Sequence, residues 1–197
     1  MRLWEQSGIP TPKTYERSDM PYSSNCLAME YFVANTLMEF LKKPDLNSDS
    51  LKVVLGLLFD SIAKRHQLAL ERDDIRFIHS DPHSGNVLHT ENGLTFIDLE
   101  RELPKHPVLK SAVWELSRWG RNVVDIAGRQ HLDQVVDAVL DAYCDSSQVP
   151  LALVKQDYKP PRIQKLKERF GRSGKDTMRR YEFAFGLMTG IRTRKLA

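Results

Sequence analysis

The sequence has little cysteine and no long apolar run, and each absence argues against one class of protein, disulfide-rich or membrane-spanning. Only two cysteines occur in 197 residues, Cys26 and Cys144, and neither belongs to a C-x-x-C pair or a Cys/His cluster. A disulfide framework and a zinc site are therefore not supported, and a reducing, cytoplasmic location is expected. No apolar stretch reaches the roughly 18 residues of a membrane-spanning helix. The first ten residues, MRLWEQSGIP, also lack the apolar segment of a signal peptide.

An excess of one charge is lacking as well. The 29 basic and 26 acidic residues leave a net charge of +3, so nucleic-acid binding through bulk electrostatics is not expected. The basic excess is local, because it begins near Lys155 and runs to the final IRTRKLA. This tail predicts either a solvated helical surface or a contact with an anionic partner, such as the cytoplasmic face of a membrane. The sequence leaves both readings open.

What is present fits one globular domain, or one domain with a fragment of another, since 41% of the residues are apolar. The N-terminal part, residues 1–34, contains the end of a helix halted at Gly8 and the run CLAMEYFV (26–33), which predicts a buried strand. The remainder, residues 35–197, is mainly helical.

Helical periodicity is clearest after a candidate N-cap at Asp49 or Ser50. A shorter helix, 36–41, precedes it and should break near Pro44. Further helices are predicted over 111–128 and 131–145, with two basic helices near 162–170 and 175–190. The apolar stripe of the long helix predicts a core face, formed by Leu51, Val54, Leu55, Leu58 and Ile62.

One stretch, FIHSDPHSGNVLHTENGLTFIDLER (77–101), places polar residues between apolar runs that predict short strands. The turn Glu91-Asn92-Gly93 predicts a β-hairpin, because asparagine and glycine tolerate positive φ. A hairpin returns the chain to its starting end, so Asn86 and Asp98 should become neighbours.

An amide oxygen beside a carboxylate suits Mg²⁺, which takes few protein ligands and completes its shell with water and phosphate oxygens. Asp81 lies five residues before Asn86, where it could orient or deprotonate a hydroxyl that attacks a metal-held phosphate. The residues alone therefore indicate phosphoryl transfer.

The pattern His79-x-Asp81-x-x-x-x-Asn86, followed by Asp98, resembles the catalytic loop and metal-binding aspartate of the protein-kinase-like fold. The form DPHSGN is similar to the small-molecule branch, such as the aminoglycoside and choline phosphotransferases. FIDLER is similar to the lipopolysaccharide-core sugar kinases of the Kdo kinase type. The resemblance implies that Asp81 orients the acceptor and that His79 braces the metal-binding segment.

The same resemblance assigns further roles around the site. His83 could approach the phosphates, although a hydrogen-bonded loop histidine is the plainer reading. Asn86 and Asp98 would hold magnesium, and Glu100 could add a metal contact or be a surface carboxylate.

The likeness extends upstream. LAMEYFVANTLMEFL resembles a kinase hinge, which implies that Met29 is the gatekeeper and that ATP binds against it. In such a hinge the Glu30 carbonyl accepts from the adenine amine, and the Phe32 amide donates to the ring. GIPTP looks like the linker after helix C. The likeness covers roughly residues 1 to 125.

The resemblance implies an α+β protein-kinase-like domain, mainly the helical C-lobe (35–197) with its catalytic-loop hairpin. A truncated N-lobe and the hinge would form 1–34. The implied function is Mg-ATP-dependent phosphorylation of a hydroxyl on a sugar or small molecule, with a lipopolysaccharide-core sugar as the first candidate. Only about fifteen residues separate Asp98 from the next helix, and no A-P-E signature follows, which favours a small acceptor over a peptide.

Two expected parts are missing from the sequence, the Gly-rich phosphate loop and the lysine-bearing strand. The alternative is therefore a catalytically inactive pseudokinase or partner-binding module. A separate N-lobe chain or an upstream start site would instead restore the enzyme.

Five residues of the helix after the hairpin carry further expectations. Glu115 occupies the place of an aspartate that braces the catalytic loop in such folds, where its longer side chain would reach with poorer geometry. Trp114 and Trp119 lie five residues apart and so on different faces of the helix, which predicts core and rim positions for the pair rather than a stacking platform. Arg118 and Arg121 could meet an anionic acceptor, and this option stays open.

Overall fold

A computed structural model describes residues 2–15, 28–99, 106–144, 148–158 and 174–196. The fold is mixed α+β, with helices predominating over two small antiparallel sheets. Cys26, Glu100 and the helix predicted near 162–170 lie outside the described residues. The helices are α1 (Arg2–Gln6), α2 (Leu37–Leu41), α3 (Ser48–Arg72), α4 (Val108–Ala127), α5 (Leu132–Ala142), α6 (Gln148–Asp157) and α7 (Gly174–Leu196). The strands are β1 (Thr14–Tyr15), β2 (Ala28–Met29), β3 (Asn35–Thr36), β4 (Val87–Thr90) and β5 (Gly93–Phe96).

The predicted hairpin is confirmed as β4 and β5, which pair from Val87 with Phe96 to Thr90 with Gly93. Of the turn residues, Gly93 has a positive φ of 112° and Asn92 does not. Strand β3 pairs with the other edge of β4, and β1 pairs with β2 in a separate ribbon.

Helix α3 begins one residue after Asn47, whose side-chain oxygen accepts from the Ser50 N–H at 2.8 Å. The predicted N-caps at Asp49 and Ser50 are therefore wrong. Asn47 comes first in the run N-S-D-S and already accepts from an open N–H of the first turn, so the helix begins before either predicted cap. The predicted core stripe is confirmed, since all five of its residues are buried.

The prediction of a buried strand over 26–33 is wrong. Within the part of that run that the structure describes, only Ala28 and Met29 form strand β2, and Tyr31 and Val33 are 87% and 94% exposed. Apolar and β-branched composition favours extended backbone, but burial needs a second layer over the strand. The apolar run at Phe77 is likewise not a strand, because Ile75–Phe77 forms a 3₁₀ helix.

The helical body surrounds α4, which packs against α5, α6 and α7, while α3 packs against α5. The predicted helices over 36–41, 111–128, 131–145 and 175–190 correspond to α2, α4, α5 and α7. Helix α6 was not predicted. None of the helices in the described part of the chain combines the length and apolar character needed to cross a lipid bilayer.

Candidate active site

The hairpin brings Asn86 and Asp98 together, which confirms the predicted proximity. The Ile97 N–H donates to the Asn86 carbonyl at 3.0 Å, which extends the β4–β5 ladder by one step. The Asn86 Nδ2 then lies 3.4 Å from Oδ2 of Asp98 and donates to the Asp81 carbonyl at 3.0 Å. One side chain thus joins the loop before β4 to the segment after β5.

Asp98 has left-handed backbone, with φ of 58°. Few residues other than glycine adopt this conformation without strain, and aspartate and asparagine are among them. Even so, the conformation is sparsely populated, and non-glycine residues that adopt it cluster at sites where surrounding contacts hold them. The conformation therefore supports a specific placement of the Asp98 carboxylate beside Asn86.

Asp81 is nearly buried, and both of its carboxylate oxygens face cationic or titratable groups. Oδ2 lies 3.4 Å from Nε2 of His83, and Oδ1 lies 3.6 Å from a guanidinium nitrogen of Arg118. His83 is held in turn by the Gly85 N–H, which donates to Nδ1 at 3.1 Å. A Cβ at position 85 would come within 2.9 Å of the His83 ring, so glycine is needed for this close approach. His83 is thus the hydrogen-bonded loop histidine that the sequence favoured.

His79 is fully buried and connects the loop to the segment that carries Asp98. Its Nδ1 accepts from the Asp81 N–H at 3.1 Å, so Nε2 carries the proton and donates to the Ile97 carbonyl at 3.1 Å. Burial lowers the pKa of His79 from 6.5 to about 4, which keeps the ring neutral in this tautomer. The His79 ring thus joins the backbone at Asp81 to the backbone at Ile97. Its bracing of a metal-binding segment stays a prediction.

Glu115 reaches the loop from α4, as expected from its position, but with closer contacts than its length suggested. The His79 N–H donates to Oε2 at 2.9 Å, and Arg65 and Trp119 donate to Oε1 at 2.6 and 3.0 Å. Burial opposes ionisation of Glu115, but the charge of Arg65 and the hydrogen bonds from His66 and Arg65 outweigh it and lower the pKa of Glu115. A buried, charged pair therefore fixes the backbone of the loop before β4.

Several residues of this network were missed by sequence reasoning. Arg65 also donates to the Phe77 carbonyl at 3.1 Å and stacks over the Trp4 and Phe96 rings. The Tyr143 hydroxyl donates to Nδ1 of His66, whose Nε2 then donates to Glu115 at 3.1 Å. The sequence signal for this network was Arg65 itself, a charged residue on the apolar face of α3, because a charge at such a position needs a buried partner.

Two of the three predicted hinge residues contact the N-terminal segment. Met29 pairs with Thr14 across the β1–β2 ribbon, and the Glu30 N–H donates to the Lys13 carbonyl at 2.9 Å. Phe32 lies half-buried in the segment that follows. Their role in nucleotide binding stays a prediction.

The oxygen donors fit magnesium better than zinc. Within the described ranges, no three His, Cys, Asp or Glu side chains converge to hold a metal. Asn86 donates through Nδ2 to the Asp81 carbonyl, which orients the amide group. The Asn86 Oδ1 is then the atom that could coordinate a cation. One amide oxygen and one carboxylate suit a hard cation that keeps water and phosphate ligands.

No protein-family model matches this chain, and no curated protein was found to be related to it. The fold class therefore depends on the structure, and the function must be argued from the arrangement of these side chains.

Proposed function

We propose that the chain is a protein-kinase-like phosphotransferase that uses Mg-ATP to phosphorylate a hydroxyl of a sugar or small molecule. The observation that carries the proposal is the position of Asn86, whose amide contacts both the Asp81 backbone and the Asp98 carboxylate. A candidate base and two candidate metal ligands thus occupy one place. Support also comes from Glu115, which braces this loop from α4.

In this proposal Asn86 and Asp98 hold the magnesium, which would neutralise charge on the phosphates of ATP. Asp81 orients the acceptor hydroxyl and accepts its proton as the hydroxyl oxygen bonds to the γ-phosphorus and the bond from that phosphorus to ADP breaks. His79 and Glu115 keep the loop rigid, which maintains the distance between the base and the metal ligands. The predicted hinge, Met29 to Phe32, would hold the adenine.

A lipopolysaccharide-core sugar remains the first candidate acceptor, because FIDLER resembles the sugar kinases that act on that core. The basic helix α7 would suit a location against an anionic membrane face on the cytoplasmic side. A separate N-lobe chain remains a candidate partner, since the Gly-rich loop and lysine strand do not occur in the sequence.

The proposal is tested by thermal unfolding with and without Mg-ATP, in the native chain and in Asp98→Asn. Asparagine also tolerates left-handed backbone, so this variant removes the charge without adding strain. At 100 times its dissociation constant, Mg-ATP should stabilise the native chain by about 2.7 kcal/mol and the variant much less. Asp60→Asn, an exposed position on α3, is the control and should behave as the native chain does.

A second variant, Asp81→Asn, separates binding from transfer. It should keep the stabilisation by Mg-ATP but lose the phosphoryl transfer that ³¹P NMR detects with an added acceptor. Stabilisation of the native chain and of Asp98→Asn to the same extent would contradict the proposed metal site.

The alternative of a non-catalytic, partner-binding module is favoured by one observation. Met29, Tyr31 and Val33 are exposed apolar side chains at alternate positions of one segment. Exposed apolar patches often bind other proteins. Absence of any effect of Mg-ATP on the native chain would favour this alternative.

A further inference from the structure

A cleft of about 300 Å³ opens beside Asp81, between the loop before β4 and helix α4, with α7 contributing one side chain. This volume is at the lower end of small-molecule sites and suits a ligand of monosaccharide size. The cleft is lined by Arg118, Arg121 and Arg180, together with Trp114, Asn122 and Asp125.

The lining is strongly basic, with three arginines against the single carboxylate of Asp125. That carboxylate already pairs with Arg179 at 2.8 Å. The Asn122 side chain, which lines the cleft, accepts from the Ser84 N–H at 2.8 Å and so holds the loop against α4. A ligand with a negative charge is therefore the one that this surface would attract.

Arg118 links the cleft to the candidate base. Its guanidinium lies 5.2 Å from the ring centroid of Trp114 and 3.6 Å from Oδ1 of Asp81. The side chain is 41% exposed, so a ligand can reach it from the solvent. Planar guanidinium groups bind carboxylate and phosphate through paired hydrogen bonds, which a 3.6 Å contact to one oxygen does not use fully.

We infer that this cleft binds an oxyanion, a phosphate or carboxylate group, carried by the acceptor, and that Arg118 is the residue that selects for it. The anion of the acceptor and the Asp81 carboxylate compete for the Arg118 guanidinium. Binding of the anion draws Arg118 from Asp81 and leaves the carboxylate to receive the hydroxyl proton. The acceptor role rests on the proposed phosphotransferase function, whereas binding of the anion does not.

The test is isothermal titration calorimetry without nucleotide, with glucose 6-phosphate, glucuronate and glucose as probes. We expect both anionic sugars to bind and neutral glucose to give no detectable heat. Arg118→Ala should weaken the binding of the anionic sugars about tenfold or more, the usual effect of losing a hydrogen bond to a charged group. Arg194→Ala is the matched control, because that side chain is also 41% exposed and paired with aspartate, on a different face.

Asp81→Asn gives the opposite expectation, since it removes the carboxylate that competes for Arg118. The anionic sugars should bind about threefold more tightly to this variant, within the range of a partly exposed ion pair. A merely structural role of Arg118 would predict weaker binding, or none, in both variants. Equal losses in Arg118→Ala and Arg194→Ala, or equal binding of glucose, would overturn the inference.

The two proposals fail separately. If Mg-ATP stabilises the chain but neither anionic sugar binds, the inference is wrong and the phosphotransferase proposal stands. If the anionic sugars bind but Mg-ATP has no effect in the thermal test, the acceptor role is wrong together with the proposed function.

Discussion

At the scale of single residues, the candidate site depends on polar groups that are buried among aromatic rings. His79 lies edge-on to Trp4 and Trp119 at centroid distances of 6.0 and 6.2 Å, and the Arg65 guanidinium stacks over the rings of Trp4 and Phe96. Buried polar groups are costly unless they find hydrogen-bond partners. The His79 ring bonds to two backbone groups, and Arg65 and His66 both bond to Glu115. The His79 ring can accept from the Asp81 N–H only while Nδ1 is unprotonated. The rigidity of the loop therefore depends on the protonation state of His79.

Acid should destabilise the fold through His79. The ring has a pKa of about 4 in the folded chain and 6.5 when exposed, so between these values the unfolded chain binds more protons. The stabilisation is complete above pH 6.5 and is lost as the pH falls towards 4, amounting to roughly 3 kcal/mol in all. About 2 kcal/mol of this should be lost by pH 5, as measured by urea unfolding at pH 7 and pH 5.

The control for this prediction is a pair of glutamine variants. His79→Gln does not titrate, so its free energy of unfolding should fall by about 2 kcal/mol less than that of the native chain over the same interval. His106→Gln changes an exposed histidine and should keep the full pH dependence. Identical pH dependence in all three proteins would exclude His79 as the group responsible. His66, whose pKa burial also lowers, contributes equally to all of them.

At the scale of secondary-structure elements, α4 and α7 approach closely at a single glycine. A Cβ on Gly120 would overlap the ring of Phe183, which is buried in the core. Gly120→Ala should therefore destabilise the chain by about 1–3 kcal/mol, the usual cost of overpacking. The measurement is the midpoint of urea unfolding with an unchanged m-value.

Gly56 on α3 is the matched control, because a Cβ there meets nothing within 4 Å. Gly56→Ala should stabilise the chain by about 0.5–1 kcal/mol through helix propensity alone. If both substitutions stabilise the chain, the helices are not as close at Gly120 as the structure has them.

The elements also show what the sequence can reveal. The stripe on α3 was predictable, because a helix that packs on a core must repeat its apolar residues at helical spacing. Helix α6 was not, because Pro150 stands in its first turn and favours a break when read alone, although proline is compatible with that position. Exposure of Tyr31 and Val33 could not be predicted, since strand composition says nothing about what covers the strand.

The residues of the candidate site also divide into those that the sequence could place and those that it could not. Asn86 and Asp98 could be paired because a two-residue turn fixes the register between them. Arg65 and Tyr143 could not be assigned to the site, because 50 and 28 residues of chain separate them from Glu115 and only the packing of α3, α4 and the end of α5 joins them. Side chains linked by local turns are accessible to sequence reasoning, and those linked by helix packing are not.

At the scale of the whole molecule, stability should be unevenly distributed between the helical body and the β1–β2 ribbon. Helices α3 and α4 bury continuous apolar faces, whereas the ribbon consists of two-residue strands with Tyr15 and Met29 about half exposed. Regions with few buried contacts open without global unfolding. Hydrogen exchange followed by mass spectrometry should therefore show amides of 28–33 exchanging orders of magnitude faster than those in the middle of α3.

Addition of Mg-ATP then tests where the proposed site lies in the molecule. Binding to both the hinge and the metal ligands should slow exchange in 29–32 and in 81–98, while peptides of α5 change only as far as global stability requires. Protection of 81–98 alone would show that phosphate and metal bind there but that Met29, Glu30 and Phe32 are not the adenine contacts. Uniform slowing along the chain would mean that the nucleotide stabilises the fold without occupying this site. If the ribbon opens most readily, as its exposure predicts, it is also the segment in which ordering by a ligand should give the largest change in exchange.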